Sequence, residues 1–195
     1  WQSMTHPTWA LAALQNGGKF RFKNLEPYYD ASSFDNVTQF IGSQLNGSLD
    51  WDYLNEIRAA WDGPLILKGI LNGQDATRAV AAGVDGLIVS NHGGRQLDAV
   101  PASIDLLEAI RSSVGPKVPL LFDSGVRSGL DIARALAAGA DFVMCGRAFM
   151  YGVAALGEPG PDHVLAVLKD ELENTMVQLG LERLADLPTA LSRQS

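Results

Sequence analysis

Cysteine and histidine are scarce in this sequence, which has one cysteine, Cys145, and three histidines among 195 residues. A single cysteine excludes an internal disulfide framework and any zinc site built from several cysteines, and this usage fits a reducing compartment. The chain has no apolar run of about 18 residues that could span a membrane, and no charged-then-apolar start typical of a secretory signal. These absences predict a cytoplasmic globular protein. Because the chain starts at Trp1, we expect further sequence before it.

Basic residues are in the minority: 15 lysines and arginines stand against 22 aspartates and glutamates, a formal net charge of −7. Nucleic-acid binding needs a concentrated basic face that neutralises phosphates, and here the charges are scattered along the chain. The sequence therefore argues against a nucleic-acid partner. With 47% hydrophobic residues, the chain can bury the core of one domain of ordinary size.

Four short apolar runs have the length and branched side chains of buried parallel strands, with helical patterns around them. The predicted strands lie at 65–69, 86–91, 119–125 and 142–147. The predicted helices lie at 7–15, 35–45, 51–61, 75–82, 103–113, 128–139 and 161–179. Ser128 and Asp131 form the capping-box pattern at the start of the sixth of these helices.

The middle of the chain contains an internal repeat. Residues 65–91 align without gaps on residues 121–147, and ten of the 27 positions are identical. Eight such strand–helix units form a (β/α)₈ barrel and need roughly 225 residues or more, whereas four are visible here. We therefore predict an α/β chain that supplies the C-terminal half of a (β/α)₈ barrel. An open four-stranded parallel sheet is the alternative.

The predicted half-barrel is one domain over 1–195 with three parts. Residues 1–64 are a mainly helical lead-in, 65–150 hold the four βα units, and 151–195 form C-terminal helices. The barrel is favoured over the open sheet because each strand end carries a different functional group, as strands around one mouth would.

Two turns that contain glycine and arginine follow neighbouring predicted strands. The stretch DSGVRSG at 123–129 leads into a helix, whose free backbone N–H groups favour an anion, and Gly146-Arg147 ends the next strand. The loops after the last two strands of a barrel often bind phosphate. A plain strand–helix turn would explain either stretch alone, but together they predict a site for a phosphate monoester.

Polar side chains also follow the two earlier strands. Lys68 is either a lysine whose ammonium reaches solvent or a fixed cation beside a ligand that becomes anionic. His92 alone would be a structural histidine, but Gly93 and Gly94 leave room for a ligand beside its imidazole. Arg95 adds a guanidinium suited to a carboxylate. A base close to a carboxylate anchor predicts proton abstraction next to a carboxylate.

The other reactive side chains have plainer interpretations. Cys145 lies on a predicted buried strand and is expected to be a core thiol. His6 and His163 have no neighbours at metal-ligand spacing, so no metal site is predicted.

The stretch SNHGGRQLD at 90–98 resembles the FMN-dependent α-hydroxy acid dehydrogenase/oxidase family. LILKG before it, and DSGVRSG and GR after it, extend the resemblance over nearly the whole chain. The family includes glycolate oxidase, L-lactate dehydrogenase and (S)-mandelate dehydrogenase. Residues 1–10 and 48–64 are most similar to its bacterial L-lactate and mandelate dehydrogenase branch.

The resemblance implies oxidation of an (S)-2-hydroxy acid, such as L-lactate, mandelate or glycolate, to the 2-oxo acid with FMN as cofactor. It implies that His92 is the catalytic base and contacts the substrate, that Arg95 binds the substrate carboxylate, and that Lys68 stabilises the reduced flavin. Further FMN contacts are expected from Ser90, Asp123, Ser124, Gly125, Arg127, Gly146 and Arg147. Of these, Asp123 is expected at the ribityl hydroxyls, and Gly125, Arg127, Gly146 and Arg147 at the phosphate.

The same resemblance implies partners that this chain does not contain. They are the first half of the same barrel, with a carboxylate beside the histidine, tyrosines and a second arginine, and an electron acceptor, either oxygen or a quinone or cytochrome. The family further implies a homo-oligomer, a tetramer, and in one branch contact with the inner face of the membrane through a segment before this chain.

Two other functions are compatible with the sequence. Another phosphate-binding barrel enzyme could share the glycine–arginine turns without the His-Gly-Gly-Arg stretch. A non-catalytic half-barrel that binds flavin would be yellow but would turn over no substrate.

Overall fold

The backbone is described by a computed structural model for residues 2–15, 17–18, 22–30, 34–44 and 49–190. Its internal contacts divide the chain into two units, Trp1–Asp50 and Trp51–Ser195. The predicted helix at 35–45 ends outside the described residues, and so do residues 191–195 of the predicted C-terminal helices.

The described part of the first unit is helical. It contains α1 (Gln2–Thr5), α2 (Pro7–Gln15), a 3₁₀ turn (Glu26–Tyr28) and α3 (Phe34–Gln44). Helix α2 buries none of its residues, whereas α3 buries Val37 and stacks Phe40 on Tyr29 with ring centroids 5.6 Å apart. No helix in the described ranges is both long enough and apolar enough to cross a membrane.

The second unit is built on a sheet of four parallel strands. They are β1 (Ile66–Ile70), β2 (Gly86–Val89), β3 (Leu120–Phe122) and β4 (Phe142–Val143), and they lie side by side in the order β1-β2-β3-β4. The predicted α/β class and all four parallel strands are confirmed. Strands in sequence order are the arrangement of a (β/α)₈ barrel, whereas a doubly wound open sheet reverses its order at a switch point.

Three strands are shorter than predicted, among them β3, which covers Leu120–Phe122 instead of 119–125. β2 ends at Val89 rather than at residue 91, because Asn91 caps the 3₁₀ turn His92–Gly94 with its side-chain oxygen. β4 has two residues, not six, because it pairs with β3 alone and the chain enters a helix at Arg147.

Helices connect and follow the strands. They are α4 (Trp51–Ala60), α5 (Gly73–Ala81), α6 (Ser103–Val114), α7 (Gly129–Ala137), α8 (Arg147–Leu156), α9 (Gly160–Leu179) and a final 3₁₀ segment, Leu184–Ala190. The capping box of Ser128 and Asp131 at α7 is confirmed. Helix α5 starts two residues before the predicted position, because the Asn72 side chain accepts a hydrogen bond from Asp75 N at 2.8 Å.

The sequence did not separate α8 from the strand before it. Gly146-Arg147 reads as a strand end, yet Arg147 is the first residue of this ten-residue helix. A methyl group at Gly152 would lie 2.9 Å from the carbonyl oxygen of Gly160, so glycine at this position lets α8 and α9 approach closely.

The internal repeat has a structural counterpart at the amino edge of the sheet. Arg58 on α4 donates to Asp85 at 3.1 Å, and Arg111 on α6 donates to Asp141 at 2.6 Å. Each guanidinium also donates to the carbonyl of the glycine after the intervening helix, at 3.2 and 2.9 Å. Each aspartate accepts a 2.8 Å bond from the backbone at the start of the preceding strand. These two arginine–aspartate clamps join helix, turn and strand in each unit.

The core lies between the sheet and its helices. Leu87, Leu107, Ile110 and Leu120 are fully buried there. A second cluster joins α7, α9 and the last 3₁₀ segment through Ala133, Met176 and Leu187. The core extends to the last residues of the first three strands, Ile70, Val89 and Phe122, and Val143 at the end of β4 packs against it.

We expect Gly129→Ala to destabilise the complete protein by about 1–3 kcal/mol, because the new methyl group would overlap the backbone of Leu172 and Glu171 on α9. Urea unfolding measures the change. The matched control is Gly42→Ala in α3, where no atom lies within 4 Å of the new methyl group. Alanine there should be neutral or stabilise by up to about 1 kcal/mol. Equal effects of the two substitutions would contradict the close α7–α9 contact.

Candidate functional site

A cleft of about 590 Å³ lies at the carboxyl edge of the sheet. Nine of the ten site residues predicted from the sequence line it: Lys68, His92, Arg95, Asp123, Ser124, Gly125, Arg127, Gly146 and Arg147. The tenth, Ser90, is 1% exposed and lies behind the cleft, bonded to Lys68. The carboxyl ends of parallel strands share one edge, so residues far apart in sequence meet here.

Lys68 is directed by an irregularity in β1. The register of β1 on β2 shifts between Lys68 and Ile70, and Gly69 between them has a φ of +100°. Such bulges bend a strand and redirect a side chain. The ammonium of Lys68 donates to Ser90 Oγ and to Asp123 Oδ2, each at 2.6 Å. Lys68 is therefore a fixed cation that joins the ends of β1, β2 and β3.

Asp123 is held ionised by its neighbours. Its partial burial acts to raise the carboxyl pKa, but hydrogen bonds from Lys68, Ser90 and Ser124, with the Lys68 charge, outweigh burial and lower the pKa below its ordinary value. Ser124 Oγ donates to Asp123 Oδ1 at 2.8 Å. Both carboxylate oxygens thus have donors, which fixes the orientation of the group.

The turn that carries His92 is anchored through its backbone. His92 has a φ of 57°, and its N–H donates to Ser90 Oγ at 3.1 Å. The N–H of Gly93 donates to Asn91 Oδ1 at 2.9 Å and to Ser124 Oγ at 3.1 Å. The side chains of His92 and Arg95 form no hydrogen bond with any other described residue, and both line the cleft.

Gly93 makes room for a protein side chain rather than for a ligand alone. A methyl group there would lie 2.7 Å from the guanidinium of Arg147, which donates to the Gly93 carbonyl at 3.4 Å. Gly93 therefore accommodates Arg147 on one side of the turn, and it also lines the cleft beside His92.

The helix start without a side-chain cap is that of α8 and not that of α7. The N–H groups of Arg127 and Ser128 donate to the Asp131 carboxylate at 3.1 Å, and that of Gly129 donates to Glu171 at 2.8 Å. The prediction of free N–H groups at the start of this helix was therefore wrong. In contrast, α8 begins at Gly146 without a side-chain cap.

The residues around the start of α8 suit a phosphate monoester. Arg127 and Arg147 are exposed and form no ion pair within the described part of the chain. Methyl groups built on Gly125 or Gly146 meet no atom within 4 Å, so a ligand can approach both backbones. An uncapped helix N-terminus with two guanidinium groups favours a dianion. The donor set thus fits the phosphate of FMN.

Four residues that line the cleft were not predicted from the sequence: Val126, Met144, Met150 and Tyr151. Met150 and Tyr151 lie three and four residues after Arg147, so these two side chains and that of Arg147 share one face of α8. That spacing was the available signal, once a helix had been placed at this position.

Cys145 is half-buried against the core. Burial raises the pKa of its thiol, and the charge of Asp131 raises it further. The thiol therefore stays protonated at neutral pH, as expected for a core residue and not for a nucleophile.

Comparison with known proteins gives a consistent set of relatives. The family model for "FMN-dependent dehydrogenase" matches residues 1–194. L-lactate dehydrogenase of Pseudomonas entomophila (strain L48) is 43% identical over 188 residues, which are 96% of this chain and 49% of the relative. The solved structure of (S)-mandelate dehydrogenase, described as a monotopic membrane protein, matches with a TM-score of 0.83 and 37% identity, over 97% of this chain and 50% of the other.

A variant of mandelate oxidase, solved with an FMN adduct, matches with a TM-score of 0.67 and 41% identity over 71% of this chain and 44% of the other. The chain spans about half the length of the relatives it matches. It aligns with the C-terminal half of the barrel of FMN dehydrogenases, so the predicted half-barrel is confirmed.

The lowered pKa of Asp123 gives stability that is present above the unfolded value, about 3.9, and lost as pH falls through the folded value. We expect Asp123→Asn to reduce the free energy of unfolding at neutral pH and to flatten its decline below about pH 4. Urea unfolding of the complete protein at a series of pH values measures both.

The matched control is Asp170→Asn, which removes an exposed carboxylate of α9 that has no ion pair among the described residues. It should leave the neutral-pH stability within about 0.5 kcal/mol of wild type. If the free energy of unfolding of Asp123→Asn falls as steeply as that of wild type below about pH 4, the Lys68–Asp123 ion pair does not stabilise the fold.

Proposed function

The chain belongs to the FMN-dependent dehydrogenase family, and from this premise we propose that the complete protein oxidises an (S)-2-hydroxy acid to the corresponding 2-oxo acid. L-lactate and (S)-mandelate are the first substrates to test, with glycolate as the smallest. The observation that carries the proposal is that His92 and Arg95 line the same cleft as Arg127, Arg147 and the start of α8, which together suit a phosphate.

Arg95 and His92 would divide the handling of the substrate. Oxidation of a 2-hydroxy acid removes two electrons and two protons, one from the hydroxyl and one from carbon 2. The planar guanidinium of Arg95 suits two parallel hydrogen bonds to the substrate carboxylate. Three residues earlier, the imidazole of His92 would take one proton as general base. The ring nitrogens of His92 form no hydrogen bond with a described residue, so one of them is available to accept that proton.

The rest of the cleft suits FMN, which supplies the two-electron acceptor chemistry when it is bound. Arg127, Arg147 and the N-terminus of α8 would hold the phosphate, with Gly125 and Gly146 permitting close approach. Lys68 would place a fixed positive charge where the ring system gains negative charge. Ser90 and Asp123 accept hydrogen bonds from its ammonium, and Ser124 donates to Asp123, which would line the ribityl side.

The proposed partner within the same protein is the first half of the barrel. In the described part of the chain, β1 and β4 each pair with a strand on one side only. Ile66 on β1 and Phe142 on β4 are 47% and 61% exposed. Strands from the first half would cover both edges and supply the remaining wall of the cleft. Assembly into a tetramer is proposed from the family resemblance alone.

For the complete protein we propose a cytoplasmic location with peripheral contact to a membrane. The (S)-mandelate dehydrogenase relative is a monotopic membrane protein. In the first unit, α2 buries no residue and exposes Trp9, Leu11 and Leu14 by 59, 58 and 70%. Exposed tryptophan and leucine on a helix suit the boundary between headgroups and acyl chains. We therefore propose α2 as the contact, instead of the segment before this chain that the family resemblance implied.

The complete protein should show flavin absorbance that bleaches anaerobically with an (S)-2-hydroxy acid. His92→Gln should keep the flavin but slow bleaching by about 10²- to 10⁴-fold, because a positioned general base is lost. The matched control is His163→Gln on the exposed surface of α9, which should bleach at the wild-type rate.

A yellow protein that bleaches with none of a broad panel of acids would instead be a non-catalytic flavin carrier. If the His92→Gln variant bleaches at the wild-type rate, His92 is not the general base. Oxygen and a quinone-like dye are then added to separate samples of the bleached protein. The compound that restores the flavin absorbance faster is assigned as the electron acceptor.

The complete protein should sediment with phosphatidylcholine vesicles, which present no net charge to this acidic chain. Replacing Trp9 and Leu14 by serine should weaken binding at least about tenfold, since each apolar side chain contributes about 1.5–3 kcal/mol on burial. Val177→Ser is the control, because this residue is also exposed, by 74%, but lies on α9 in the second unit. Unchanged binding by the double variant would exclude α2 as the contact.

A further inference from the structure

The described residues contain two non-glycine positions with a left-handed backbone: His92, with φ of 57°, and Ser124, with φ of 88°. This region is unfavourable for residues with a Cβ, and such strain persists only where surrounding contacts hold it. The two residues lie on different loops, after β2 and after β3. A hydrogen bond nevertheless links the two loops: the N–H of Gly93, the residue after His92, donates to Ser124 Oγ at 3.1 Å.

We infer that Ser124 is a positioning residue for His92, whose hydroxyl holds the turn of the proposed base against the loop after β3. The inference deepens the proposed oxidation of 2-hydroxy acids and rests on it. Beyond any contact of Ser124 with FMN, it assigns this side chain a role in the geometry of proton transfer.

The hydroxyl of Ser124 has two defined partners. It donates to Asp123 Oδ1 at 2.8 Å and accepts from Gly93 N at 3.1 Å. Asp123 is itself fixed by Lys68 at 2.6 Å. The turn that carries the base is thereby connected to the Lys68–Asp123 ion pair through the side-chain oxygen of Ser124.

A second serine holds the same turn from the other side. The N–H of His92 donates to Ser90 Oγ at 3.1 Å, and Ser90 also accepts from Lys68. The consecutive N–H groups of His92 and Gly93 thus donate to two serine hydroxyls, one just after β2 and one just after β3. Asn91 shares the N–H of Gly93, but Asn91 belongs to the turn itself and cannot fix it relative to β3. Among the described residues, the bond from Gly93 N to Ser124 Oγ is the direct hydrogen bond between this turn and the loop after β3.

The backbone alone does not require serine at this position. Glycine adopts φ of +88° without steric cost, and the next residue, Gly125, has a φ of 85°. A strained serine where glycine would be relaxed indicates that the hydroxyl itself is needed. Its two bonds are the visible reason.

The test compares Ser124→Gly, which relaxes the backbone and removes the hydroxyl, with Ser124→Ala, which keeps the strain and removes the hydroxyl. Both should retain FMN and show KM within about twofold of wild type, while kcat falls about 10- to 100-fold because the base is misplaced. Substrate deuterated at carbon 2 should show an isotope effect at least as large as in wild type. Ser112→Ala, on the exposed side of α6, is the control and should change nothing.

A second measurement does not depend on turnover. Hydrogen–deuterium exchange followed by mass spectrometry on a peptide covering 91–95 should be faster in Ser124→Gly than in wild type, and unchanged in Ser112→Ala. Wild-type kcat with unchanged exchange would overturn the inference. So would loss of FMN with normal turnover of the molecules that retain it, which would make Ser124 a cofactor contact alone. If wild-type protein oxidises no 2-hydroxy acid, the proposed function fails, while the exchange result still decides whether Ser124 fixes the turn.

Discussion

The ion pair between Lys68 and Asp123 organises the carboxyl edge of this half-barrel. It spans β2 to join β1 and β3, and Ser90 and Ser124 attach the turn of His92 to it from two sides. A partly buried pair is favourable only when further hydrogen bonds satisfy its atoms, and both serines serve this need. The polar network therefore joins Lys68 on β1 to the loops that directly follow β2 and β3.

The charge of the cleft differs from that of the chain as a whole. The net charge of −7 argues against a nucleic-acid partner, but it says nothing about a small anion. Locally, three arginines converge at the cleft without an ion pair in the described part of the chain, and its one aspartate is matched by Lys68. Position in the fold, and not composition, decides which ligands the molecule attracts. An acidic surface also leaves this cleft as the place where an anion is drawn.

Much of the fold and site could be predicted because the responsible signals are local. Apolar runs mark the strands, the Ser128–Asp131 spacing marks a cap, and parallel strands bring their carboxyl ends together whatever the loops do. What could not be predicted depends on contacts between distant segments. Glu171 reaches the N–H of Gly129 across 42 residues, and the left-handed conformation of Ser124 leaves no mark in the sequence. The division between β4 and α8 was missed because a short edge strand and a helix start look alike in an apolar stretch.

The two arginine–aspartate clamps at the amino edge bear on how such a chain acquires its shape. Arg58 and Asp85 are 27 residues apart, and Arg111 and Asp141 are 30 apart, so each clamp closes a short stretch of chain. With strands paired in sequence order, each strand after β1 pairs with the strand of the preceding unit. Because a short loop costs less entropy to close than a long one, each clamp can form within its own βα unit.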